Sequence, residues 1–253
     1  MRRGWWLLLL GLLITSVSCH AADPSALWKI VDGKCVPHEQ TMRDPSPCAS
    51  VELAHGAEKG FAVLKDINGV AQFLLIPTVR ISGIEDPAIL APDAINYWDA
   101  AWQARYFVEE RLHTTLPRDA ISLAINSSVG RSQDQLHIHI DCVRPDVRQA
   151  LAANLDKIGG VWTPFPVPLA GNMYQAIRIN QESLDGIDPF RILSEGDPRA
   201  ASEMGKHTLV LIGASFADGA SGFVLLDDHV DLLAGDFGSG EQLQDHTCAV
   251  AAK

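Results

Sequence analysis

Asn126-Ser127-Ser128-Val129-Gly130-Arg131-Ser132-Gln133-Asp134-Gln135-Leu136-His137-Ile138-His139-Ile140-Asp141-Cys142 alternates apolar and polar side chains from Leu136 onward. Successive side chains of a strand point to opposite faces. His137, His139 and Asp141 therefore share one face, and Leu136, Ile138, Ile140 and Cys142 pack the other. A solvent-exposed edge strand would carry the same alternation. Two imidazoles and a carboxylate in a row on an apolar backing instead suggest a surface built for chemistry.

Two chemistries compete for it. His-x-His on a strand can hold a metal through both rings. The body's other histidines (His38, His55, His113, His207, His229 and His246) are scattered, however, and no glutamate follows the pair closely. A neutral imidazole fixed in one tautomer can instead attack phosphorus directly.

Outward from this strand, the pattern predicts an α+β fold. Ala120–Asn126 is a preceding strand, and Pro145 opens a helix that runs to Gly159-Gly160. Upstream, Gly60–Leu64 and Gln72–Ile76 are apolar runs joined through Asn68-Gly69, a hairpin signal, with Pro77 ending the second strand. A helix is expected over Pro92–His113, with Ile95, Trp98, Trp102 and Tyr106 on one stripe. Downstream of Pro164, Pro166 and Pro168, strands at Thr208–Ala214 and Gly222–Leu226 repeat the hairpin theme weakly.

The chain has 253 residues, 47% of them hydrophobic and 20% charged, enough to bury a core. Its formal charge of −11 argues against general nucleic-acid binding. The N-terminus carries Arg2 and Arg3 and then an uncharged stretch, Gly4–Ala22, whose 19 residues approach the length of a membrane span. Export is expected, through a cleaved signal or a retained anchor. The cysteines outside this leader, Cys35, Cys48, Cys142 and Cys248, allow three disulfide pairings. Cys35 and Cys48 flank a proline-rich stretch and are paired locally, which leaves Cys142 with Cys248. Residues 23–50 read as a loop-rich lead-in with a short helix at Pro24–Val31.

At His137–Asp141 the sequence resembles the histidine triad superfamily, whose motif is His-x-His-x-His on a strand. The resemblance puts the nucleophile on His139, beside His137. It extends to Asn126, eleven residues before the first histidine, and Gln133, four before it. Leu64-Lys65-Asp66-Ile67 is similar to the family's nucleotide pocket, with Asp66 on the ribose hydroxyls. Asp141 departs from the pattern, standing where the third histidine belongs. The galactose-1-phosphate uridylyltransferase branch also lacks that histidine.

Taken with the leader, the four cysteines and the second half, His-Ile-His-Ile-Asp-Cys-Val-Arg-Pro-Asp-Val-Arg resembles the CDP-diacylglycerol pyrophosphatase family. The resemblance implies hydrolysis of CDP-diacylglycerol to CMP and phosphatidate through a nucleotidyl-histidine, with no cofactor and a body on the periplasmic side of a bacterial inner membrane. Arg131, Arg144 and Arg148 would oppose the pyrophosphate, Arg144 at a helix start. The implied organisation is a leader at 1–22, a disulfide-stapled lead-in at 23–49, and an antiparallel histidine-triad-like core at 50–158. A second half at 159–253 would be a degenerate copy. The alternatives are a broader nucleotide pyrophosphatase or nucleotidyltransferase on soluble dinucleotides, and a metal-dependent enzyme.

Overall fold

The computed structural model describes residues 23–196 and 199–251. The expected leader at 1–22 lies outside the described residues. The fold is mixed α/β, built on one nine-stranded antiparallel sheet with few helices. The strands are β1 (Ser50–Glu52), β2 (Phe61–Lys65), β3 (Phe73–Pro77), β4 (Ile121–Ile125), β5 (Ile138–Cys142), β6 (Thr163–Pro164), β7 (Gln175–Ile179), β8 (His207–Ser215) and β9 (Ser221–His229). Their order is β1-β2-β3-β5-β4-β8-β9-β7-β6. The β4–β8 pairing, Ser122↔Ile212 through Ile125↔Leu209, joins the first five strands to the last four without a break.

Alternation along β5 sorts its side chains to the two faces. Ile138, Ile140 and Cys142 enter the large core with Trp98, Trp102, Leu123 and Leu211. On the opposite face, Ala124, Val210 and Leu226 form a second core with Val147 and Leu151 of α5 (Pro145–Ala152).

Several expected boundaries move. The lead-in is helical from Ala26 to Met42, well beyond the short helix expected at Pro24–Val31: α1 (Ala26–Ile30) continues through a π-helical turn, Val31–Cys35, into α2 (Val36–Met42). Leu27, Val31 and Cys35 pack onto Ala62, Leu64, Leu74 and Ile76 of the hairpin, and that buried face sustains a helix the prolines argued against. The helix expected from Pro92 begins instead as α3 (Tyr97–Gln103), because the Asn96 side chain caps Asp99 N at 3.1 Å. It breaks at Ala104-Arg105 before α4 (Tyr106–Leu112). The helix α5 ends at Ala152, well short of the Gly159-Gly160 pair. Beyond it lie α6 (Pro189–Gly196) and α7 (Ala200–Glu203).

Both expected disulfides form, Cys35–Cys48 with 5.7 Å between Cα atoms and Cys142–Cys248 with 5.2 Å. The second ties the chain's closing segment to the end of β5. No helix among the described residues is long and apolar enough to cross a membrane.

Candidate active site

A cavity of about 380 Å³ opens beside β5. Its walls are α1 (Ala26, Leu27, Ile30), the end of β2 and its turn (Leu64 to Asn68), Asn126, the loop residues Gly130, Ser132 and Gln133, and the two histidines, with Glu241. The turn is fixed by Lys65, whose Nζ donates to the carbonyls of Asp66, Asn68 and Gly69 at 2.6, 3.2 and 3.0 Å. The loop after β4 is fixed by Ser127, whose Oγ accepts from Val129 N at 3.2 Å and Gly130 N at 3.0 Å.

His139 is 4% exposed. Burial, reinforced by His137 and His246, holds its pKa well below that of free histidine, so the ring is neutral near pH 7. Its Nδ1 lies 3.2 Å from Glu241 Oε2 and 2.9 Å from the Gln72 amide nitrogen. Its buried Nε2 has no hydrogen-bond partner. Glu241 is itself anchored, since Asn126 Nδ2 donates to its Oε1 at 2.7 Å. Asn126 Oδ1 in turn accepts from Gly240 N at 2.9 Å. A proton on Nδ1 is held by this carboxylate, and that tautomer leaves the Nε2 lone pair for a substrate. The Gln72 amide nitrogen also donates to Glu241 Oε2 at 3.3 Å.

His137 lies just before β5, its ring centroid 4.7 Å from that of His139. Its Nδ1 donates to the Gln135 carbonyl at 2.6 Å, which leaves Nε2 as an acceptor. Burial lowers the His137 pKa as well.

The structure thus brings Asp66, Ile67, Asn126, Gln133, His137 and His139 to one cavity and leaves other expected residues outside it. Gln133 spends its amide on the lead-in, accepting from Leu27 N at 3.1 Å and donating to Asp23 O at 2.9 Å. Arg131 does not face the cavity. Its guanidinium forms a two-pronged pair with Glu85 at 2.6 and 2.8 Å. Arg144 is likewise taken by Asp146 and the Gln242 carbonyl, and Arg148 by Asp119. Carboxylates thus satisfy all three guanidinium groups, and two of them, Glu85 and Asp119, lie far from their arginines in sequence.

Asp141 is fully buried and turns away to a residue the motif does not contain, His246, with Oδ2 2.7 Å from Nδ1. That hydrogen bond raises the His246 pKa. Burial raises that of Asp141 in spite of it. Asp141 also lies near Cys142 and Cys248, but those sulfurs are bonded to each other and are not free metal ligands.

Lys65, Gln72 and Glu241 escaped the sequence reading. Among the residues described as lining the cavity, Lys65 is the one cation, and its partners are neutral carbonyls. Its place in the quoted Leu64-Lys65-Asp66-Ile67 could have singled it out. Glu241 carries no local signal in Gly238-Ser239-Gly240-Glu241, and only the tertiary fold brings it to His139.

Comparison with known proteins converges on one family. The family model described as CDP-diacylglycerol pyrophosphatase matches residues 22–252. A curated CDP-diacylglycerol pyrophosphatase from Yersinia pestis is 45% identical over 229 residues, 90% of this chain and 86% of the relative.

Proposed function

The chain belongs to the CDP-diacylglycerol pyrophosphatase family and is a hydrolase acting on a pyrophosphate bond, and from that premise we propose a covalent mechanism centred on His139. The observation that carries it is the pairing of an anchored carboxylate at Nδ1 with an unpartnered Nε2 beside the cavity. His139 Nε2 attacks the cytidylyl phosphorus of CDP-diacylglycerol. The phosphorus–nitrogen bond forms, the bond to the bridging oxygen breaks, and phosphatidate leaves with that oxygen. Water then cleaves the phosphorus–nitrogen bond and releases CMP.

The surroundings support each part. Glu241 stabilises the imidazolium character that develops on attack, as a fixed negative charge beside the buried ring. Lys65 offsets phosphate charge, and Asp66 accepts from the ribose hydroxyls. Asn126 acts by holding Glu241, and His137 orients phosphate from the adjacent ring. Asp141 acts at a distance, by seating His246.

We also read the first five strands as a histidine-triad-like catalytic core at 50–158, with 159–253 packed onto it. The leader at 1–22 places the body on the periplasmic side of the inner membrane, consistent with two disulfides. Substrate hydrolysis continuing in the presence of a chelator is the expected result that separates this mechanism from a metal-dependent one.

The decisive experiment uses substrate labelled in the cytidylyl phosphate. Quenched wild-type protein should retain acid-labile label, whereas His139→Ala should lose turnover by at least about 10³-fold and take up none. His137→Ala should be damaged less, and His38→Ala should match wild type. Label persisting on the His139→Ala protein would overturn the mechanism.

A further inference from the structure

A tight loop beside the active-site cavity holds apolar side chains out in solvent. Leu232, Leu233 and Phe237 are 59%, 103% and 55% exposed. The loop that carries them is built rather than slack. Asp231 N donates to the Asp236 carbonyl at 3.0 Å, and Asp236 N donates back to Asp231 at 2.8 Å. Asp231 Oδ1 accepts from Leu233 N and Ala234 N at 3.0 and 3.1 Å, and Gly235 takes the left-handed φ of 80° that closes the turn.

The base of this loop is bonded to the cavity wall. Ser127 Oγ donates to the Phe237 carbonyl at 2.6 Å, and Ser127 N donates to the Gly238 carbonyl at 2.9 Å. Gly130 lines the cavity, and a Cβ there would stand 2.7 Å from both the Phe237 and Gly238 oxygens. Its neighbour Val129 is half-exposed. From the β2–β3 turn, a different part of the wall, Ile67 lines the same cavity and is 98% exposed.

We propose that Ile67, Val129, Leu232, Leu233 and Phe237 form a membrane-docking rim that seats the cavity mouth on a lipid bilayer. The proposal rests on the reading of this site as acting on CDP-diacylglycerol, whose acyl chains keep it in the bilayer. Two observations select a bilayer as the occupant. Ile67 lines the cavity, Val129 adjoins the lining residue Gly130, and the loop bearing Leu232, Leu233 and Phe237 packs its base on Gly130, so whatever these side chains enter lies beside the cavity through which substrate arrives. The apolar stretch Gly4–Ala22 leads in sequence to Asp23, whose carbonyl is held by Gln133 of the same wall. The segment from Val230 to Gly238 contains no Lys or Arg. Attachment through it is therefore by apolar insertion rather than by attraction to anionic headgroups.

The full chain is tested on two forms of substrate, long-chain CDP-diacylglycerol in phosphatidylcholine vesicles and a short-chain, monomeric analogue. The double substitution Leu232→Ser and Leu233→Ser should lower turnover in vesicles about tenfold or more, with turnover of the monomeric analogue within about twofold of wild type. The wild-type ratio of the two rates should not change with added salt. Equal losses on both substrates, or none in vesicles, would overturn the rim. A second measurement is independent of turnover. Leu233→Trp in vesicles of brominated phosphatidylcholine should lose fluorescence beyond the wild-type loss, and no additional quenching overturns docking. Wild type that hydrolyses neither substrate while Leu233→Trp is quenched would refute the substrate reading and leave the rim standing.

Discussion

Glu241 Oε2 lies 3.2 Å from Nδ1 of His139, although the two residues are far apart in sequence, on the middle of the chain and on its closing segment. The carboxylate is positioned by Asn126, so it has a fixed place before substrate arrives. Glu241→Gln keeps the shape and removes the charge. It should lower kcat by about 10²-fold or more with a small effect on KM, by analogy with other oriented imidazoles that lose their carboxylate. Nitrogen NMR of the imidazole checks the cause, because the variant should shift His139 toward the tautomer protonated at Nε2. A folded variant with unchanged kcat would remove Glu241 from the mechanism.

Lys65 and Arg144 should separate in kinetics. Lys65→Met is expected to raise KM about tenfold or more, because the described cavity wall offers no other cation to the pyrophosphate. Arg144 is paired with Asp146 at 2.7 Å outside that wall, and Arg144→Gln should stay within about twofold of wild type. Steady-state kinetics on the two variants decides between this assignment and one built on the motif's arginines.

How much of this was legible in the sequence follows from the range of the interactions. The β2–β3 hairpin and the alternation of β5 are local properties, written by Asn68-Gly69 and by a two-residue period. The pairing of His137 with His139 on one face followed from that alternation, whereas Asn126 came from the family resemblance. The start of α3 was missed because an Asn96 cap outweighed a plausible Pro92 start, a competition between two legitimate local signals. The partners of the arginines stayed hidden for a different reason. Glu85 and Asp119 lie far from Arg131 and Arg148 in sequence, and nothing local marks them as partners. The roles of Glu241 and His246 depend entirely on tertiary closure.

The contribution of the two buried active-site histidines to stability should fall as pH is lowered below about 6.5. His137 and His139 have folded pKa values depressed by burial, so between those values and that of free histidine the unfolded chain binds protons that the folded chain refuses. Their contribution is complete above that window and is lost as pH falls through it, with a limiting slope of about 1.4 kcal/mol per unit for each proton. His246 has the opposite sign. Its raised pKa stabilises most below the free-histidine value, and that contribution is lost as pH rises through the folded one. Urea unfolding at a series of pH values checks this, and His139→Gln should flatten the acidic limb.

Both disulfides should stabilise, the longer loop more. Chain entropy assigns about 3 kcal/mol to closure across 13 residues and about 4.7 across 106. Paired substitutions, Cys35→Ser with Cys48→Ser and Cys142→Ser with Cys248→Ser, should lower the urea midpoint in that order. Non-reducing peptide mapping of exported protein should recover both cross-links.

The Cys142–Cys248 bridge also ties together the two parts of the site. Glu241 and His246 lie on the last stretch before Cys248, and their targets, His139 and Asp141, lie on the strand that ends at Cys142. Oxidation therefore closes a clasp across the two halves of the catalytic apparatus. Without that bond, the residues that hold and tune the nucleophile would be attached to its strand only by noncovalent contacts. A single bond thus keeps the residues that hold and tune the nucleophile within reach of the strand that carries it.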